Sequence, residues 1–233
     1  MELYCFSSTG NSRRAAETAR RACGTTPIFL AVFPVHAQTI PDLVRAQLQA
    51  LPPMSGPACV LCTYGGVSAG SALRDAASIL TGKDLCVIAA AELPDRHSYE
   101  SAVKGDSLSV PRRWSEKDLT DFLTRAVQKA SSGGAPARLP RRRSLGKYLP
   151  QRLLAVLGTR YPAAEPSRCT GCGRCAAHCP TGAANGKNRA CIRCAACVSA
   201  CPTGARTLRL RTPVTRWYLQ SQIRKAKTPA FYL

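Results

Sequence analysis

Cys169-Thr-Gly-Cys172-Gly-Arg-Cys175-Ala-Ala-His-Cys179-Pro180 recurs twenty-two residues later as Cys191-Ile-Arg-Cys194-Ala-Ala-Cys197-Val-Ser-Ala-Cys201-Pro202. Both copies read C-x2-C-x2-C-x3-C-P, and Cys-Pro-Thr-Gly-Ala stands at 179–183 and again at 201–205. Such self-similarity is an internal duplication, so the stretch is one small unit made of two equivalent halves. Eight of the chain's 13 cysteines fall in it, and the other five, Cys5, Cys23, Cys59, Cys62 and Cys86, are scattered through the first half.

Three chemistries use cysteines at this density: disulfides, zinc and iron–sulfur clusters. The opening Met1-Glu2-Leu3-Tyr4-Cys5-Phe6 reads as a strand, without the charged-then-apolar layout of a signal peptide. The expectation is therefore a cytoplasmic chain with reduced thiols, which points to metal before disulfides. Zinc sites usually draw pairs of cysteines from separated turns. Three cysteines at two-residue gaps instead wrap the chain around a corner of a cubane, whose irons need four thiolates.

Working outward, the charge divides the chain. Of 33 Lys+Arg and 13 Asp+Glu, residues 1–130 hold 14 and 12, and residues 131–233 hold 19 and one, Glu165. The formal charges are therefore +2 and +18. Ser131-Ser132-Gly133-Gly134-Ala135-Pro136 followed by Pro140-Arg141-Arg142-Arg143 is small, Pro-bearing and charged, as a linker is. The expected organisation is an α/β domain over 1–130, a basic linker with a helix over 131–162, the cysteine-rich domain over 163–207, and a basic aromatic tail over 208–233. With 45% hydrophobic residues the chain can build a core, and no apolar run approaches a membrane span.

In the first domain, Leu3–Phe6, Pro27–Phe33, Ala58–Tyr64 and Asp84–Ala91 are apolar runs without alternation, the mark of fully buried strands. Helical patterns run over Arg13–Cys23, Asp42–Leu51, Ser71–Leu80 and Ser115–Ala130. Strands alternating with helices predict a parallel sheet with helices on its faces. The five scattered cysteines read as core. Cys59 and Cys62 stand at an odd offset along a strand and point to opposite faces, so they do not form a metal pair. After the first strand, Ser7-Ser8-Thr9-Gly10-Asn11-Ser12 runs straight into a helix. Backbone N–H groups there meet the positive end of the helix dipole, which suits a phosphate; an ordinary capped helix start reads the same way.

This loop resembles that of the flavodoxins, whose phosphate loop is Ser/Thr-x-Thr-Gly-x-Ser/Thr and is filled here by Ser7, Thr9, Gly10 and Ser12. The resemblance implies a doubly wound parallel sheet and an FMN phosphate on Ser7, Ser8, Thr9, Gly10, Asn11 and Ser12. The flavin ring would lie between Phe33–Gln38 and Tyr64–Val67, with His36 or Tyr64 stacking on it and Gly65 and Gly66 letting N–H groups approach. Gly65-Gly66 is equally a tight strand-to-helix turn. Only four strands are visible where a flavodoxin has five, and only Gly24-Thr25-Thr26 separates the first helix from the second strand. A sheet shortened there loses the chain reversal that forms the ligand crevice.

The cysteine-rich unit resembles the bacterial two-cluster ferredoxins in all eight cysteines and both prolines. There the fourth cysteine of each run serves the other cluster. The resemblance implies one [4Fe–4S] cluster on Cys169, Cys172, Cys175 and Cys201, and a second on Cys191, Cys194, Cys197 and Cys179. The connector Pro180–Ala190 is shorter than in that family. With both parts in one chain, residues 1–207 look like the flavodoxin–ferredoxin fusions of the EFR-type ferredoxin family, found in anaerobic bacteria and archaea.

The function expected from this is electron transfer through two clusters, coupled to FMN in an intracellular low-potential carrier. Two alternatives are a flavin-dependent reductase and a basic nucleic-acid- or membrane-associated iron–sulfur protein. The basic half fits an acidic redox partner. It also fits an anionic lipid surface, through a basic amphipathic helix over Ser144–Tyr161 that includes Leu145 and through Trp217, Tyr218 and Ile223. The alternative for that helix is packing across the two domains. No helix-turn-helix, RNP or basic-zipper pattern supports nucleic acid. His36, His97 and His178 stand alone in sequence, and no catalytic residue is assigned.

Overall fold

A computed structural model describes residues 1–104, 112–142, 144, 148–186, 188–225 and 227–233. Four parallel strands, β1 (Glu2–Cys5), β2 (Phe29–Pro34), β3 (Gly56–Tyr64) and β4 (Leu85–Pro94), stand in the order in which the chain makes them. Three helices alternate with these strands: α1 (Asn11–Cys23), α2 (Asp42–Gln49) and α3 (Ala72–Thr81). The short α4 (Glu100–Lys104) and the long α5 (Glu116–Ser131) follow β4, and the Ser115 hydroxyl caps α5 by accepting from the Asp118 N–H.

The sheet is covered on both faces. On one, Ala15, Ala19 and Cys23 of α1 and Leu119, Phe122 and Leu123 of α5 pack on Leu30, Val32, Cys59 and Leu61. On the other, Val44 and Leu48 of α2 and Leu73, Ala76 and Leu80 of α3 pack on Ala31, Phe33, Val60 and Cys62. Cys59 and Cys62 therefore do face opposite ways. Cys23, Cys59 and Cys62 are buried, Cys86 is half-buried, and Cys5 is exposed because β1 lies at the sheet edge.

The linear strand order leaves no chain reversal beside β1. From β1 to β4 the chain steps the same way, yet α1 lies on one face and α2 and α3 on the other. The first crossover therefore has the opposite hand to the next two, against the usual rule for βαβ units. Two contacts hold it there: the Ser12 and Thr63 hydroxyls, 2.8 Å apart, pin the start of α1 under the end of β3, and α1 packs along α5.

A fifth strand comes from the tail. β5 (Ala230–Tyr232) pairs antiparallel with β4, Ala90 opposite Tyr232 and Glu92 opposite Ala230. Beside it Arg142 Nη1 lies 2.6 Å from the buried Glu92 carboxylate.

The helix expected over Ser144–Tyr161 is shorter, α6 (Gln151–Gly158), because Pro150 disfavours helical geometry in the residue before it. Leu145 lies outside the described residues. The cysteine-rich unit holds two one-turn helices, α7 (Arg174–Ala177) and α8 (Ala196–Ser199), and α9 (Pro213–Arg224) follows. The chain entering and leaving the unit is zipped antiparallel: the Glu165 N–H donates to Ala205 O (2.8 Å) and the Arg160 N–H to Arg209 O (2.8 Å).

Candidate iron–sulfur site and adjoining cleft

The two copies fold alike because the same positions turn the same way. Gly171 (φ 71°) and Gly173 (φ 69°) correspond to Arg193 (φ 57°) and Ala195 (φ 62°), and Gly182 (φ 67°) corresponds to Gly204 (φ 62°). Each copy then makes one helical turn, α7 or α8, that presents its third cysteine. Where the first copy uses glycine for a left-handed backbone, the second holds side-chain-bearing residues there.

The sulfur environments follow from these turns. Burial pushes the Cys179 thiol up, but N–H groups of Thr181, Ala184 and Ala183 and the Thr181 hydroxyl outweigh it and leave it lowered. Cys201 is lowered to about 7 by the N–H of Arg206, with help from Thr203 and Ala205. Thr181 and Thr203 hydroxyls each lie 3.7 Å from their cysteine sulfur. Donors aimed at sulfur favour the thiolate, the form that binds metal. Cys194 is raised to about 11, first by burial and then by Cys197, Cys179 and Cys191. Cys197 is raised first by burial, against Arg206, with Cys191, Cys179 and Cys175 adding to the rise. Cys179 of the first copy is thus a close neighbour of the second copy's thiols.

Arg206 places a buried positive charge among these sulfurs. It donates to Pro162 O and Ala184 O, both at 2.8 Å, and also reaches the Cys175 thiol. Among the described residues, no three His, Cys, Asp or Glu side chains converge tightly enough to hold one metal ion. A tetrahedral zinc needs four donors within about 2.3 Å of a single point. Four cysteines in each copy, N–H donors on Cys179 and Cys201 and the Arg206 charge beside Cys175 are surroundings that suit an iron–sulfur cluster.

The second copy is docked on the sheet domain. Tyr99, in α4's approach from β4, donates its hydroxyl to Arg193 O (2.7 Å), and Gln220 of α9 donates to Val103 O (3.0 Å). Gln151 at the start of α6 donates to Ile40 O (2.6 Å) and accepts from the Asp42 N–H (3.1 Å). A cleft of about 590 Å³ remains between the two parts. The sheet's carboxyl edge supplies His36, Tyr64, Gly65, His97 and Tyr99 to it, α6 and α9 supply Leu157, Val214 and Tyr218, and the second motif supplies Ile192 and Arg193. Burial lowers His36 to about 4; burial and then His36 lower His97 to about 4, so both imidazoles are neutral at pH 7.

The flavin-type residues of the sequence reading divide in two. His36, Tyr64 and Gly65 line the cleft, while Ser7–Ser12 do not. Ser7 Oγ accepts from the Arg13 N–H (3.0 Å), Ser12 is engaged with Thr63, and Asn11 Nδ2 donates to Arg96 O (2.9 Å). The two glycines serve packing: a Cβ on Gly65 would lie 2.6 Å from His97 Cα, and one on Gly66 (φ +84°) 3.3 Å from Ile223 Cα. Sequence reasoning missed Tyr99, Arg193 and Arg206. Only Arg206 carried a signal, as a lone arginine two residues beyond a glycine that the duplication repeats.

Among the described residues no helix is long and apolar enough to cross a membrane. Residues 124–183 match the 4Fe-4S dicluster domain family, although the matched part before Cys169 contains no cysteine, and residues 188–207 match the 4Fe-4S binding domain family. No curated protein and no solved structure matches the chain. The C-terminal part of the chain therefore carries two 4Fe-4S ferredoxin-type domains, one on each copy of the cysteine motif.

Proposed function

We propose that this chain is an intracellular low-potential electron carrier. Cys169, Cys172, Cys175 and Cys201 hold one [4Fe–4S] cluster, and Cys191, Cys194, Cys197 and Cys179 hold the other. The observation that carries this reading is the duplicated C-x2-C-x2-C-x3-C-P motif, each copy of which falls in a match to a 4Fe-4S domain family. The bound clusters supply one-electron transfer. The chain's own residues favour the thiolate at Cys179 and Cys201 through N–H donors and place the Arg206 charge beside Cys175 and Cys197. Cys169 and Cys172 are exposed beside the exposed Arg168 and Arg174, a face suited to an acidic redox partner. Purification without oxygen followed by metal and sulfide analysis tests the reading. It expects about eight irons and eight sulfides per chain; zinc in stoichiometric amount with no sulfide overturns it.

A second reading adds FMN, and one arrangement favours it. Asn11 is bonded to Arg96 and Ser12 to Thr63, so the Ser7–Ser12 loop adjoins the segments that bring His97 and Tyr64 to the cleft. A flavin ring in the cleft and its phosphate on that loop is an arrangement resembling the flavodoxin one, on a sheet with helices on both faces but with β1 at its edge instead of inside the order 2-1-3-4-5. Such a site makes the protein a candidate flavin-dependent reductase as well as a carrier. FMN titration of the cluster-loaded protein decides it. Quenching of flavin fluorescence that Tyr64→Ala weakens supports the site, and quenching untouched by Tyr64→Ala and Thr9→Glu removes it.

A further inference from the structure

Large apolar side chains left in water gather on α6, on Tyr148 and Leu149 just before it, and on α9. Leu157 is 59% exposed, Val214 71% and Trp217 70%, with Leu153 and Tyr218 also exposed. In sequence these lie sixty residues apart; in the fold they are adjacent. The Arg211 N–H donates to Gly158 O (3.0 Å) and Arg211 Nε to Val156 O (2.6 Å), so the start of α9 is bonded to the end of α6. Leu153 and Leu157 are one turn apart on α6, and Val214, Trp217 and Tyr218 share one side of α9. Leu157, Val214 and Tyr218 are at once exposed and part of the cleft wall, so the patch surrounds the mouth of the cleft.

The charge around this patch is mostly positive. Arg152, Arg160, Arg216, Arg224 and Lys225 are exposed on or next to the two helices, and Glu165 is the single acid between residues 131 and 233. An apolar patch with a tryptophan and a tyrosine, bordered mainly by arginines, with Asp42 the one acid on the cleft wall, matches the boundary of an anionic bilayer. There the aromatic rings settle at headgroup level, aliphatic side chains enter the acyl region, and cations meet lipid phosphates. An acidic protein partner would complement the arginines but leave this apolar area facing carboxylates. Nucleic acid offers nothing for Leu153, Leu157 and Val214.

The geometry points to the α6–α9 face as a docking surface for an anionic lipid bilayer, peripheral and reversible, with the mouth of the cleft turned to the lipid. Ile192 and Arg193, next to Cys191 and Cys194, also line that cleft. The assignment is independent of whether the cleft holds a flavin.

The test uses the full-length, cluster-loaded protein and vesicles of phosphatidylcholine alone or mixed with phosphatidylglycerol. The chain has two tryptophans, and Trp114 is 4% exposed, so lipid-dependent fluorescence reports on Trp217. Expected are co-flotation with the mixed vesicles, weakened by salt, and quenching of Trp217 by lipids brominated in the acyl chain. Leu157→Ser with Trp217→Ser lowers partitioning by at least about tenfold at unchanged iron content. Arg152→Gln and Arg224→Gln each lower it by about fivefold. Failure to float with either vesicle overturns the assignment. So does flotation without acyl-chain quenching and indifferent to Leu157→Ser with Trp217→Ser, which is adsorption by net charge alone. Retention on DNA at a salt concentration where vesicles are released also overturns it, in favour of a nucleic-acid surface.

Discussion

The two copies of the cysteine motif share a backbone but not an environment. The first turns on Gly171 and Gly173, leaves Cys169 and Cys172 exposed, and faces solvent; the second turns on Arg193 and Ala195, buries Cys194 and Cys197, and is bonded to the sheet domain through Tyr99. Duplication supplied two equivalent scaffolds, and docking made them different. The first set is open to solvent, whereas burial raises the Cys194 and Cys197 thiols of the second.

Removing a ligand from each copy breaks the comparison most severely. Cys194→Ser is expected to lose its cluster and loosen the module from the sheet, while Cys172→Ser loses the other cluster and keeps the rest folded. Iron content with circular dichroism separates the two outcomes. Cys179→Ser is expected to resemble Cys194→Ser in its residual spectrum and Cys201→Ser to resemble Cys172→Ser. The reverse pairing sinks the exchanged ligand sets.

Next in size is the tether. Tyr99→Phe leaves Arg193 O without its 2.7 Å hydroxyl donor and should cost about 1–2 kcal/mol in denaturant unfolding. The second copy's cluster signal should change and the first copy's should not.

The turn residues give a smaller and reciprocal effect. A Cβ on Gly173 meets nothing within 4 Å, so Gly173→Ala costs only the left-handed backbone, about 1 kcal/mol. Ala195→Gly at the equivalent position should gain a similar amount, and equal responses at both sites would show that the copies are not conformationally matched.

An effect of a different kind is in pH. Unfolded histidine titrates near 6.5, whereas folded His36 and His97 lie at about 4. Between those values the unfolded chain binds more protons, so stability falls as the pH drops from about 6.5 to about 4. His36→Gln with His97→Gln should flatten that part of the profile in thermal melts, and an unchanged slope would mean that the imidazoles are already protonated in the fold.

The four parallel strands were legible because strands buried on both faces are unbroken apolar runs, and their helices because one face of each is small or aliphatic. β5 was not: Ala230-Phe231-Tyr232 is too short to carry a periodicity, and its partner Ala90–Glu92 is more than a hundred residues away. α9 did carry a signal, Thr212 as N-cap before Pro213, which the basic composition of the tail obscured. The eight cysteines were legible from spacing alone. The cleft was not, since it arises where the sheet's edge, α6, α9 and the second motif meet, and no local pattern encodes such a meeting. The Ser7–Ser12 loop was legible as a local pattern, but its side-chain partners were not: Ser12 meets Thr63 and Ser7 accepts from the Arg13 N–H.

Pairing of β5 with β4 has a mechanical consequence. The stretch that carries the clusters leaves the sheet domain through α5 and returns to the same sheet through β5, so it is anchored at both ends. A protein whose redox module hung from one flexible arm would have to wait for that arm to swing before each delivery. Here both ends of the cysteine-rich stretch are tied to one sheet, so its distance from the cleft is set by the fold and not by a swinging arm.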